Sequence, residues 1–170
     1  TLTVLGEDHD IAIIIDSDER AGLEVYYSHF KAGPIAGKLI LAYEVDNSLL
    51  QTMAENAAHS SYMASGARKF QLSEDDLQKA RHFVVNSISL VPAAALRAEI
   101  ITQRFGVPER VIDIDGEIQH FFYPNLGLVV SIHQEAKDLL QYVHPNDFSR
   151  LIERINSPEN PNLEADDTPG

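Results

Sequence analysis

The sequence predicts an α+β fold in which antiparallel β-meander repeats carry helices packed on one face. Three observations predict it. Residues 105–141 read as a helix stop followed by short strands and tight turns. The same order of signals recurs in the first third of the chain, and apolar residues at helical spacing precede the second copy. The meanders stand apart or merge into one continuous sheet of about six to eight strands, a size within the common range.

In the first copy Leu5-Gly6 is the stop, and only Thr1 to Leu5 precede the glycine, so no leading helix is expected. Residues 11–15 form a strand, residues 22–27 return, and residues 38–45 form a third. Leu49-Leu50-Gln51 then matches Leu139-Leu140-Gln141 of the second copy. The first copy is the longer, and its excess falls in loops at 17–21 and 28–37, where insertions are tolerated. Residues 52–72 fit either a helix continuing through Leu49, Met53 and Ala57 or a strand end and loop.

Ser73 suits the N-cap of a helix over 74–87, with Glu74, Asp75 and Asp76 in its first turn and Lys79 and Arg81 later, matching the helix dipole. Leu77, Ala80, Phe83 and Val84 supply its apolar face. A second helix spans 92–105, opening on Pro92, whose missing N–H costs nothing at a first helical position. Gly106 fits the left-handed site past a helix end, and Pro108 blocks continuation.

The second meander starts at Val111, Ile112 and Ile114. Asp115-Gly116 marks a tight hairpin, because both central residues of a type I′ turn need positive φ. Residues 117–123 return, Pro124-Asn125 turns the chain, and residues 126–133 and 138–143 complete four strands. A last helix begins near Pro145, with Phe148, Leu151, Ile152 and Ile155 on one face. Residues 157–170 hold prolines and acids without a base, a composition that predicts disorder. The chain thus divides into a first repeat with connector over 1–72, a second repeat over 73–156, and an acidic tail over 157–170.

The 170 residues carry 26 acidic and 13 basic side chains, a net charge of −13. Such a surface repels phosphate backbones, which argues against general nucleic-acid binding. Hydrophobic content of 44% supports a packed core, and no apolar run reaches the ~20 residues of a membrane span. The absence of cysteine excludes disulfides and thiolate metal sites. Thr1 in first place suggests that upstream residues were removed or lie outside the sequence, which a cleaved signal, a lipoprotein leader or an arbitrary start point would each explain.

Catalytic and metal motifs are weak. With Tyr123 paired to Leu126 across the turn, His120 and His133 fall four strand rows apart, roughly 13 Å, too far to share an ion. No H-x-x-x-H or H-E-x-x-H spacing occurs. Asp16-Ser17-Asp18-Glu19 begins like a calcium loop, but Ala21 and Tyr27 stand where the EF-hand needs glycine and glutamate. Asp113, Asp115 and Glu117 read as ordinary turn carboxylates. Gly33-Pro34-Ile35-Ala36-Gly37-Lys38 leads into a strand, whereas a P-loop leads into a helix. The expectation is a protein that is not an enzyme, with no cofactor and no metal.

The aromatic pairs carry the positive signal. Tyr26-Tyr27 and Phe122-Tyr123 each place one ring on either side of a strand. One ring should pack under helices and the other stand on the opposite face near His120, where exposed tyrosines make good protein-binding anchors. Tyr26, Tyr27, Phe122, Tyr123 and His120 are therefore the partner-binding candidates. The occupant is a partner protein or a second copy forming a homodimer.

The second copy resembles the small outer-membrane-assembly lipoprotein domain of the BamE (SmpA/OmlA) type. The resemblance rests on the helix into Phe105-Gly106-Val107-Pro108, the Asp115-Gly116 hairpin, Phe122-Tyr123-Pro124 and Leu126-Gly127-Leu128-Val129-Val130. The tandem arrangement is similar to the beta-lactamase inhibitor protein fold, in which two αβ repeats build one concave sheet. The resemblance covers about residues 90–143 and, more thinly, 5–51; Leu5-Gly6 lacks the following proline. It implies protein–protein binding on the periplasmic side of the bacterial cell envelope, without cofactor. A secreted or periplasmic enzyme inhibitor is the alternative it leaves open, and a hydrolase would need a polar cleft.

Overall fold

The computed structural model describes residues 9–32 and 35–155. The predicted acidic tail, the Leu5-Gly6 stop and the Gly33-Pro34 turn lie outside the described residues. The fold is α+β. Its strands are β1 (Asp10–Ile15), β2 (Ala21–Ala32), β3 (Ile35–Glu44), β4 (His59–Tyr62), β5 (Arg68–Gln71), β6 (Val84–Pro92), β7 (Arg110–Ile114), β8 (Ile118–Tyr123), β9 (Leu128–His133) and β10 (Leu139–Val143). Its helices are α1 (Asn47–Glu55), α2 (Glu74–Ala80), α3 (Ala98–Phe105) and α4 (Phe148–Ile155). The strands form one ten-stranded antiparallel sheet in the order β4-β5-β1-β2-β3-β6-β10-β9-β8-β7. No helix among the described residues is long and apolar enough to cross a membrane.

The chain separates into two compact units, residues 1–28 with 40–86 and residues 29–39 with 87–170. In the first unit Ile13, Ile15 and Leu23 meet Leu50, Met53 and Ala54 of α1 and Ala80 of α2 in one buried cluster. Both helices therefore cover the same sheet face. Asp46 caps α1 by accepting from the Ser48 and Leu49 main-chain N–H groups, and Gln51 Nε2 ties the helix to the Glu19 carbonyl. This cap explains a failed correspondence: Leu49-Leu50-Gln51 lies in a helix while Leu139-Leu140-Gln141 lies in a strand. Ser73 caps α2 as expected, accepting from Asp76 N. The open choice for residues 52–72 resolves into the end of α1 followed by the β4–β5 hairpin.

Three further expectations need correction. The helix predicted over 74–87 stops at Ala80, and residues 84–92 are strand β6 with alternating burial. The β-branched Val84, Val85, Ile88 and Val91 suit a strand, and only Val84 of them belongs to the apolar stripe read for the helix. The helix expected from Pro92 begins only at Ala98, because tertiary partners hold the intervening donors: Ala93 N–H bonds the Ala36 carbonyl and Leu96 N–H bonds Asp138. The loop expected over 28–37 is largely strand, since β2 runs to Ala32 and β3 starts at Ile35. Three strands missed at 59–62, 68–71 and 84–92 take the sheet beyond the expected size.

In the second unit Asp115 (φ 52) and Gly116 (φ 75) form the predicted positive-φ hairpin. The next turn differs from expectation. Pro124–Leu126 is a 3-10 turn and Gly127 is left-handed, so Tyr123 pairs with Leu128 instead of Leu126. A Cβ at Gly127 would sit 2.0 Å from the Val143 carbonyl oxygen, so glycine is required by space as well as by φ. The layering is refined here. Phe122 and Val129 pack with Phe148 and Leu151 of α4. On the other face the Tyr123 ring lies against Phe105, and its hydroxyl donates to the Gly106 carbonyl at the end of α3.

Candidate functional site

Strand alternation sorts the first unit's sheet into two faces. Leu23, Val25 and Tyr27 face the helices. Gly22, Glu24 and Tyr26 face the other way, opposite Ile14, Ala12 and Asp10 of β1. Lys69 and Gln71 of β5 continue those rows. Among the described residues this unit's helices pack on the first face, and on the second Ala12 is buried. Ile14, Glu24, Tyr26 and Lys69 each keep part of their surface in solvent, while Lys69 and Asp10 form an ion pair.

Glu24 is largely buried, with only part of its surface in solvent. Ala12 lies directly across the strand from it, and Gly22 is two positions along. A Cβ built on Gly22 would meet nothing within 4 Å. The surrounding protein pushes the Glu24 carboxyl above the usual carboxylate range by desolvation, and no neighbouring cation offsets this among the described residues. Sequence reasoning missed Glu24 and Gly22. The available signal was a glycine inside a strand, which often marks a place where another group approaches closely.

Of the predicted partner-binding residues, Tyr26 lies on this face with its ring partly exposed. Tyr27 is 2% exposed, against the His9 ring on the helix side. Burial raises its hydroxyl pKa, and the nearby Tyr43 adds to the shift. Phe122, Tyr123 and His120 are buried in the second unit. The expectation that one ring of each pair is displayed therefore applies to Tyr26 alone; α3 and α4 cover the two rings of Phe122-Tyr123 from opposite sides.

His120 belongs to a buried polar group. Its Nδ1 is 2.7 Å from Ser131 Oγ. The corrected register pairs His120 with Ser131 and Ile118 with His133, so the histidines are diagonal neighbours on one face rather than four rows apart. Diagonal partners lie roughly 7–8 Å apart. Burial depresses the pKa of His120, and His133 adds to the shift. Burial also depresses that of His133, partly countered by the Asp138 charge. Both Asp138 oxygens accept main-chain N–H groups, from His133 and Leu96. Among the described residues no three His, Cys, Asp or Glu side chains could hold a metal ion together. Ser131 is 3% exposed, so its hydrogen bond to His120 satisfies two buried polar groups and offers no nucleophile to a substrate.

The Asp16 loop is a self-contained hairpin turn. Asp16 Oδ1 accepts from the main-chain N–H groups of Asp18 and Arg20, and its other oxygen meets the Arg20 guanidinium. Compared with known proteins, the chain matches no family model, no curated sequence and no solved structure.

Proposed function

We propose that the chain is a non-enzymatic protein-binding or assembly accessory module of the bacterial cell envelope, working on its periplasmic side. One observation carries the binding part: a sheet face in the first unit, opposite the one its helices cover among the described residues, where Ile14, Glu24 and Tyr26 are partly exposed mid-sheet. Tyrosine suits such a place because it offers a large rigid contact with a polar tip. The sealed Ser131–His120 pair supports the non-enzymatic reading. The envelope assignment rests on the BamE-type resemblance of residues 90–143.

The test is site-specific photo-cross-linking in a bacterial envelope extract. A cross-linker at Gln71, exposed on this face, should give a discrete adduct, and one at Thr52 on the outer side of α1 should give none. Adducts of equal yield from both positions, or from neither, would overturn the reading. An adduct of twice the chain's mass would identify the occupant as a second copy.

A further inference from the structure

We infer that Gly22, Glu24 and Tyr26, side by side along β2, form an acceptor for a cationic side chain of the partner protein, a lysine or arginine entering over Gly22 and ending on the Glu24 carboxylate. The inference rests on the proposed binding face and names the chemistry of what it binds.

Five observations converge on it. Among the described residues, nothing lies within 4 Å of a Cβ built on Gly22. Strand pairing puts small Ala12 opposite Glu24, so the carboxylate's cross-strand neighbour on the β1 side is low. Glu24 has no ion pair or cationic neighbour among the described residues, whereas Asp10, the other acid on this part of the face, is already paired with Lys69. Tyr26 stands one same-face position farther along the strand, roughly 7 Å away, where its ring can line an alkyl stem or face a cation. The net charge of −13 favours the approach of a basic partner over an acidic one, within the range that salt leaves unscreened.

A desolvated carboxylate without a partner costs the folded chain stability. Such a cost is commonly retained where a ligand relieves it. Glycine within a strand is likewise unfavourable unless something needs the room. The same two positions thus carry both costs, and one incoming ammonium or guanidinium would relieve the first by using the second.

The experiment uses a tri-lysine peptide and its Nε-acetylated counterpart, titrated into the whole chain and followed by heteronuclear NMR. Tri-lysine should shift amides of residues 10–14 and 22–26, and the acetylated peptide should not. Glu24→Gln should weaken binding about tenfold or more, as expected for loss of a charge-assisted contact. Gly22→Val should do the same by filling the room at the Gly22 Cβ position, while β-branching suits the strand. Both variants should melt no lower than the parent, and Glu99→Gln on the exposed side of α3 should leave binding within about twofold.

Shifts spread over the whole acidic surface, or equal losses from Glu24→Gln and Glu99→Gln, would overturn the acceptor as a general polyanion effect. A Glu24→Gln protein that melts lower would make the carboxylate structural and overturn it too. The cross-linking result separates the two levels. A Gln71 adduct that survives Glu24→Gln and Gly22→Val leaves the binding face standing and removes the cation from it; no adduct in the parent chain removes the face.

Discussion

The buried histidines set the chain's response to acid. His120 and His133 both have folded-state pKa values below 6.5, chiefly from burial. In the window between those values and about 6.5, the unfolded chain binds more protons than the folded one. Stability is therefore full above about pH 6.5 and falls as the pH drops through the window, by at most about 1.4 kcal/mol per pH unit for each proton taken up. Neither ring nitrogen of His133 makes a hydrogen bond of good geometry among the described residues, and its contact with the Lys137 main chain is secondary to burial, so His133→Leu removes a titrating group and at most one weak contact. Unfolding free energies from urea titrations should agree within about 1 kcal/mol at pH 8, and the variant should lose less than the parent between pH 7 and pH 5. A variant with an unchanged slope would assign the acid response to His120 or to carboxylates. This pair was only partly legible in the sequence. The residues were named, but their spacing depended on a turn whose length the Pro124-Asn125 signal did not reveal.

At the scale of elements, turn chemistry was the most legible feature and context-dependent segments the least. Asp115-Gly116 specified its hairpin because positive φ at two consecutive positions suits few other residues, and Ser73 specified a helix start because its hydroxyl replaces a missing acceptor. Residues 84–97 were misread because the helical apolar stripe ran on to Val84, although the β-branched residues at 84, 85, 88 and 91 suit a strand, and because Ala36 and Asp138 claim donors that a helix would use. Such partners are invisible locally. Two glycines test how much a turn owes to φ and how much to space. Gly116→Ala meets open room and bears the left-handed penalty alone, about 1–2 kcal/mol. Gly127→Ala carries the same penalty and also drives a methyl into the Val143 carbonyl, so it should cost at least about twice as much and loosen the junction between β9 and β10. Denaturant unfolding of the two variants decides the matter, and equal losses would show that the β10 strand yields easily.

For the whole molecule, charge is the property that fold and function pull in opposite directions. The excess of 13 acids over a balanced chain lowers the stability of the compact state by self-repulsion. The exposed ion pairs Arg20–Asp16, Arg68–Glu19 and Arg150–Asp147 offset little of it. Added salt screens repulsion between distant charges first, as the Debye length shrinks from about 30 Å at 0.01 M to about 8 Å at 0.15 M. The melting temperature should therefore rise by about 2–5 °C between 10 and 300 mM sodium chloride, equivalent to about 1 kcal/mol for a chain of this size. Binding of a cation at Glu24 must respond the other way, since the same ions screen the attraction that draws it in. Thermal melts and tri-lysine titrations over one salt series test both at once. A melting temperature that falls with salt would mean that local pairs outweigh the global repulsion. Tri-lysine affinity that holds steady while stability rises would mean that the peptide is held by contacts other than its charge.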